Sequence, residues 1–241
     1  MAFNLKSEEE VKEYLKNLYI EYKFGCLSEK RPEVCHLLGD YEESIKRDVN
    51  KAAPIYKENC DVRNSPRSCA KYGTYLVTGK EDFVAGEGAS KNVKEAYNYM
   101  KKGCELGDST GCLHAGALAV SDEKLTEKDR ATQINKGIEM LKKSCWEHGM
   151  EKGCYYLSGV YISGIKGYLE PNLREAYKVS LKACESGNPY ACANVSQMHE
   201  RGEGVQKNEN LAETFRKRAI ALHREMVESR RQLEFHQGVD K

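Results

Sequence analysis

Apolar residues return along this chain at helical spacing, in short runs separated by turn residues. The first run, Val11, Tyr14, Leu15, Leu18 and Tyr19, marks one face of a helix. It opens on Ser7-Glu8-Glu9-Glu10, a capping box in which the serine accepts from the first turn and Glu10 reaches back. Val93, Ala96, Tyr97 and Met100 repeat the pattern ahead of Cys104, and Leu173, Ala176, Tyr177, Val179 and Leu181 repeat it ahead of Cys184. Gly107, Gly149 and Gly187 are placed as helix stops. Pro32, Pro66 and Pro189 suit the first turn of a following helix, where the missing N–H costs nothing. Pro54 is incompatible with a helix interior and sets the start of its helix near Asn50. No segment alternates as a strand would, so the pattern predicts an all-α chain of helix, turn, helix.

The cysteines give that pattern a period. All ten fall into five couples: Cys26 with Cys35, Cys60 with Cys69, Cys104 with Cys112, Cys145 with Cys154, and Cys184 with Cys192. Their first members recur at intervals of 34, 44, 41 and 39 residues, the range of helical-repeat arrays. Four residues after each second cysteine stands a small residue: Gly39, Gly73, Gly116, Ser158, Ser196. Eight residues before the first stands Ala52, Ala96, Gly137 or Ala176, with Leu18 the exception. Small residues at a fixed phase let stacked helices approach closely. The expectation is an α/α solenoid, a right-handed superhelix of five hairpins over residues 1–207, followed by a capping helix and tail over 208–241.

Geometry restricts what the couples can do. In one continuous helix their members would be separated by roughly 12–13.5 Å of rise, whereas a disulfide needs Cα atoms within about 7 Å. The turn signals between them supply the reversal, so five bridges, one across each hairpin, are predicted. Each closes a loop of about nine residues, worth roughly 2.5 kcal/mol in the chain-entropy account. Zinc knuckles and thioredoxin-type redox sites both call for C-x2-C spacing, which is absent. Reduced core cysteines are the plainer alternative, but they leave the bracketing of every turn unexplained.

Net charge near +1, with 31% charged residues, argues against a nucleic-acid partner. No run of apolar residues is long enough to span a membrane. The stretches Gly79–Asn92 and Ser121–Arg130 read as connectors of varying length. Within the first, Gly86–Lys91 lacks the order of a phosphate loop. Neither a secretory signal nor an Arg-rich presequence is visible in MAFNLKSEEE. Five disulfides nonetheless need an oxidising compartment, and the mitochondrial intermembrane space reconciles the two. A secreted chain is the rival; its sequon Asn194-Val195-Ser196 falls at the helix-packing phase, where a glycan is awkward.

Cys154 through Gly164 resembles the second helix of a Sel-1-like repeat, as does Cys192 through Gly202-Glu203-Gly204-Val205 with that family's G-x-G-V exit. Val195-Ser196 replaces the usual Leu-Gly, His199 an aromatic, and Asp122 the exit glycine of the third unit. The five couples resemble the metazoan branch of the family that serves respiratory complex IV. That resemblance implies a non-catalytic assembly factor whose partners are complex IV subunits, other assembly factors and the oxidative import machinery. It implies a monomer, with no cofactor needed for the fold. Haem is a further possibility through His114, His148, Met150, Met198 or His199, each of which is also an ordinary core or surface residue. A scaffold of this kind would work through its second helices, where Tyr72, His114, Tyr156 and Met198 are candidate contacts. The competing function is a secreted cysteine-rich repeat protein that binds proteins or β-lactams. No Ser/His/Asp ordering or paired-carboxylate motif marks an enzyme. Toward the C-terminus, Leu211, Phe215, Ala219, Leu222, Met226 and Leu233 form an apolar stripe opposite Arg216, Lys217, Arg218, Arg224, Arg230 and Arg231. This predicts a polar-faced cap in preference to a membrane-surface helix.

Overall fold

A computed structural model describes residues 7–78, 92–121 and 124–236, except for the side chains of 230–236. The connector Gly79–Asn92 up to residue 91, the Gly86–Lys91 stretch within it, Asp122, and the side chains of Arg230, Arg231 and Leu233 lie outside the described residues. The described chain forms α1 (Glu8–Leu27), α2 (Pro32–Ser44), α3 (Val49–Arg63), α4 (Pro66–Thr78), α5 (Val93–Glu105) and α6 (Ser109–Val120). It continues with α7 (Arg130–Lys142), α8 (Glu151–Ser163), α9 (Leu173–Glu185), α10 (Pro189–Arg201) and α11 (Glu209–His236). A π-type turn, Lys143–Glu147, prolongs α7. Among the described residues no strand forms; Ile165 and Leu169 make one isolated bridge in the loop after α8. The fold is an all-α array of Sel1-type hairpins, and it divides inside α6 into two compact units, Met1–Ala115 with Glu123–Thr126 and Gly116–Asp122 with Glu127–Lys241.

Local chemistry fixes where the helices begin. Ser7, Asp48, Asn92, Asp129 and Asn172 each accept from the backbone N–H three residues on, at the heads of α1, α3, α5, α7 and α9. Pro32, Pro66 and Pro189 open α2, α4 and α10. Pro54 departs from expectation. Helix α3 starts at Val49, close to the predicted point, yet runs on through Pro54. The lost bond is the one to the carbonyl of Asn50, one turn from the Asp48 cap, and the ring faces solvent while Ala52, Ala53 and Tyr56 are buried around it.

The small-residue register is the packing code between hairpins. A methyl group placed on Gly39 would lie 2.5 Å from the Tyr56 ring. One on Gly73 would meet the Met100 side chain at 2.6 Å and the Ala96 carbonyl at 3.0 Å, and one on Gly116 would meet Leu141 at 2.8 Å and the Gly137 carbonyl at 2.9 Å. Each second helix therefore offers a notch to the residue four positions before the next hairpin's first cysteine. Ser196, at the same phase of α10, donates to the Ala212 carbonyl at 2.6 Å. That contact seats α11 as the terminal helix. Ala212 is its buried anchor, and Phe215, Ala219, Leu222 and Met226 are half-buried, whereas Leu211 faces solvent. The inward stripe thus keeps Phe215, Ala219, Leu222 and Met226 as predicted and begins at Ala212 in place of Leu211. In the exit of the fifth hairpin, Gly202 and Gly204 both adopt a φ of 73°, and a side chain at Gly204 would collide with the Leu173 carbonyl.

Candidate binding surface

The five cysteine couples join the two helices of each hairpin. Cys26 is bonded to Cys35 with Cα atoms 4.5 Å apart, Cys60 to Cys69 at 4.8 Å, and Cys104 to Cys112 at 4.4 Å. Cys145 is bonded to Cys154 at 4.5 Å and Cys184 to Cys192 at 4.6 Å. No free cysteine occurs among the described residues. Cys69 and Cys112, in the first turns of α4 and α6, are fully buried, as are Cys35, Cys154 and Cys192 at the same place in their own helices. These sulfurs are therefore staples, and none is a thiol open to a ligand. Glycines make the approach possible: a methyl group on Gly111 would press on the Met100 carbonyl, and one on Gly153 on Ser144. Two places after each second cysteine stand Leu37, Lys71, His114, Tyr156 and Asn194, of which Tyr156 is exposed and the others partly buried.

In the first unit Lys71 borders a cleft of about 340 Å³ on α2, α4 and the start of α6, with Asp40, Arg67 and Thr110 also at its wall. Beneath it runs a buried polar chain. Asn59 donates to Ser68 Oγ at 2.8 Å. Ser68 Oγ lies 3.0 Å from His36 Nδ1, and His36 Nε2 lies 3.6 Å from Asp40. Asp40 in turn accepts from the Tyr56 hydroxyl at 2.6 Å. Burial holds the His36 imidazole down to about 4, against the opposing pull of Asp40 and with help from Arg67 and Lys71, so it is neutral at pH 7. Ser, His and Asp are present, but Ser68 is fully buried and receives the Asn59 amide. It cannot meet a substrate as a nucleophile, and the chain instead locks α2, α3 and α4 together.

The second unit offers a cleft of different character, about 370 Å³, walled by Tyr155, Tyr156, Val160, Ser163 and Asn194. Tyr155 stands 6.3 Å from Tyr156 and 6.0 Å from Tyr190, which is 6.2 Å from His223. Its lining residues carry no charge. The first unit's cleft therefore suits charged segments, and the second suits aromatic and aliphatic ones.

Comparison with known proteins fits this architecture. The Sel1 repeat matches residues 66–108, 152–188 and 189–222. The chain is 42% identical to a cytochrome c oxidase assembly factor 7 homolog of Drosophila melanogaster, over 99% of this chain and 98% of that one. It is 37% identical to cytochrome c oxidase assembly factor 7 of Xenopus tropicalis and 33% identical to that of Homo sapiens, each over 96% of this chain and 97% of the relative. The chain belongs to the cytochrome c oxidase assembly factor 7 family. In fold it is similar to the crystal structure of a Sel1 repeat protein from Oxalobacter formigenes, with a TM-score of 0.67 at 19% identity over 86% of this chain and 79% of that one.

For this member of the family, the candidate residues can now be placed. Tyr156 is half-exposed on the surface of α8, and His114 is partly buried in α6. Tyr72 and Met198 are core residues, 5% and 4% exposed. Tyr72 packs edge-on against Tyr99 at 4.7 Å. Lys71 and Asn194 take the surface positions that the sequence reading gave to Tyr72 and Met198. The haem candidates are spread over α6 (His114), the turn before α8 (His148, Met150) and α10 (Met198, His199). His199 is 2% exposed, with Nε2 at 3.1 Å from the Tyr177 hydroxyl and its ring stacked on Phe215. His148 is exposed at the end of the π-type turn, and Met150 is the cap residue of α8. No group of three or more His, Cys, Asp or Glu among the described residues could hold a metal ion. The Ser68–His36–Asp40 chain went unread in the sequence, though His36 follows Cys35 and Ser68 precedes Cys69 in consecutive repeats, a signal in plain view.

Proposed function

We propose that this chain is a non-catalytic assembly factor for cytochrome c oxidase, acting in the mitochondrial intermembrane space as a disulfide-stapled scaffold. The observation that carries the reading is similarity to cytochrome c oxidase assembly factor 7 over the whole chain, at up to 42% identity among the relatives compared. The ten paired cysteines support an oxidising compartment. No described helix is long and apolar enough to cross a membrane. The working surface is the exposed side of the second helices, with Arg67 and Lys71 in one unit and Tyr155, Tyr156 and Asn194 in the other. It holds protein segments of a client subunit, or of another assembly factor, while that client is built in. Helical repeats commonly use such surfaces in this way. The scaffold acts as a monomer and takes no nucleic acid.

The test is depletion of the protein followed by native-gel quantification of assembled respiratory complexes and fractionation of mitochondria. Cytochrome c oxidase should fall selectively, and the protein should fractionate with soluble intermembrane-space markers. Re-expression of a Tyr156→Ala, Lys71→Glu double variant should yield normal protein levels and incomplete rescue. Full rescue by that variant, combined with failure of variants on the first helices or on α11, would move the working surface elsewhere. Unchanged cytochrome c oxidase after depletion would remove the proposal.

A further inference from the structure

Helix α8 carries a glycine that its own packing does not explain. Gly159 lies in the helix interior and is exposed, and a methyl group built there would meet nothing within 4 Å. Glycine in a helix interior is less favourable than alanine. Gly39, Gly73 and Gly116 offset that by admitting the next hairpin, whereas Gly159 admits nothing within the chain. The repeat does not demand it either. The same place, five residues after the second cysteine, holds Asp40, Thr74, Ala117 and Gln197 in the other hairpins. Gly159 lines the second unit's cleft with Tyr155, Tyr156, Ser163 and Asn194, while Val120, Val160 and Ile165 supply its aliphatic lining. Among the described residues, none of those four polar side chains makes a hydrogen bond, and each can donate one. From Tyr156 the rings continue as a row. Tyr155 stands at 6.3 Å, Tyr190 a further 6.0 Å on, and His223 of α11 another 6.2 Å beyond. Tyr156 and Tyr190 are 51% and 49% exposed. Lys152, one turn before Tyr156 on the same stripe of α8, is exposed and makes no ion pair among the described residues. Its neighbour Glu151 has one carboxylate oxygen buried, and no side chain caps the start of α8. That end of the cleft therefore favours negative charge.

We propose that this surface holds an extended, proline-rich segment of a partner protein, with one aliphatic side chain in the cleft and an acidic residue at the end that reaches Lys152. The proposal rests on the reading of the second helices as the client face and names the kind of segment held. Hydrogen bonding selects the backbone. A docked α-helix keeps its carbonyls for its own N–H groups and leaves the four donors unmatched. A β-like segment supplies carbonyls, but it also brings N–H groups that need acceptors in the same cleft. Polyproline II supplies carbonyls with few N–H groups, and its prolines dock in aromatic-lined grooves. Followed ring to ring, the row is about as long as six residues of such a segment, at about 3.1 Å each. Gly159 leaves room for that backbone to come close to α8. Charge agrees: the cleft lining is neutral, so a charged centre would lose its hydration without a partner, whereas an acid at the Lys152 end finds one. A second copy of this chain is a poor occupant, because its five prolines are scattered singly.

The probe is a fluorescein-labelled peptide, Glu-Pro-Pro-Leu-Pro-Pro-Pro, titrated by fluorescence anisotropy against the full oxidised chain. Two controls replace every proline with alanine, or the glutamate with lysine. The alanine peptide should bind at least about tenfold more weakly, for lack of preorganisation. The lysine peptide should also be weaker, by a margin that shrinks as salt is added. Gly159→Ala and Gly159→Leu separate room from stability. Both remove the helical glycine, so neither should lower the melting temperature. Alanine leaves the cleft open and should keep binding within about threefold, whereas leucine fills it and should lose about tenfold or more. Tyr190→Ala, on the exposed row outside the cleft, should weaken binding at least about fivefold. Lys152→Glu should erase the preference for the glutamate peptide over the lysine peptide. Equal binding of all three peptides, or binding by Gly159→Leu as strong as by Gly159→Ala, overturns the proposal. So does stronger binding of an amphipathic helical peptide of the same charge, or partition onto phosphatidylserine vesicles without peptide binding. The assay contains no complex IV. Failed peptide binding beside a selective loss of complex IV on depletion removes the proline-rich segment and leaves the assembly reading standing. Unchanged complex IV beside peptide binding removes the assembly reading alone.

Discussion

Lys30 and Asn64 sit in the turns of the first two hairpins with φ of 57° and 52°, where later hairpins use Gly107, Gly149 and Gly187. Asparagine tolerates this region; lysine does so at a cost. Lys30→Gly should therefore raise stability by about 0.5–1 kcal/mol, seen as a higher melting temperature with the helical signal unchanged. His36 makes a second residue-scale prediction. Its folded value of about 4 lies below the ordinary 6.5. The unfolded chain thus binds more protons between those limits, and stability is fully present above about pH 6.5 and lost as pH falls toward 4. Between pH 7 and pH 5 the loss assigned to this residue is about 2 kcal/mol. Denaturant titrations of wild type and His36→Asn should show the variant with a flatter dependence in that window. The limits of reading side chains from sequence lie at this scale too. Tyr72 and Lys71 are neighbours, but one step around a helix turns a side chain by roughly 100°. That step separates the core from the cleft, and repeat periodicity alone does not resolve it.

Elements were more legible. The cysteines fixed the hairpins because a local bridge demands a local reversal, and polar caps and Pro at the first turn fixed most of the helix starts. What escaped was decided by tertiary support: α3 passing through Pro54, and α11 turning Ala212 inward in place of Leu211. Propensity does not register the neighbour that makes each arrangement worthwhile. The notch between α6 and α7, closed by both the Leu141 side chain and the Gly137 carbonyl, is a place to test that support. Gly116→Val would drive branched carbons into Leu141 and the Gly137 backbone, costing about 1–3 kcal/mol, measured by urea unfolding of the full chain. Removing one staple, with Cys145→Ala and Cys154→Ala together, should cost about 2.5 kcal/mol. The remaining four bridges, Cys60 to Cys69 and Cys104 to Cys112 among them, should still map to near neighbours by non-reducing peptide analysis. A long-range link in that variant would contradict the local-hairpin account.

At the scale of the molecule, the two units carry unlike second-helix surfaces, charged around Arg67 and Lys71 and aromatic around Tyr155 and Tyr156. Clients using both should feel them separately. Lys71→Glu should weaken association in a salt-dependent way, and Tyr156→Ala in a way that salt barely changes, as read by calorimetry once a client peptide is in hand. The repeat register made the face of these helices legible, but not the division of chemistry between the units, because each cleft joins residues from helices of different hairpins. The short span of every bridge has one more consequence, for how the molecule is made. Ten cysteines could pair in roughly nine hundred ways, and a chain that had to search among them would depend on repeated reshuffling. Here each partner is only eight or nine residues away, so proximity selects the native pair before the rest of the chain has taken shape. Oxidation can proceed hairpin by hairpin from whichever end arrives first. Each closed hairpin then behaves as a ratchet tooth, and a chain threading through a narrow passage could no longer slip back.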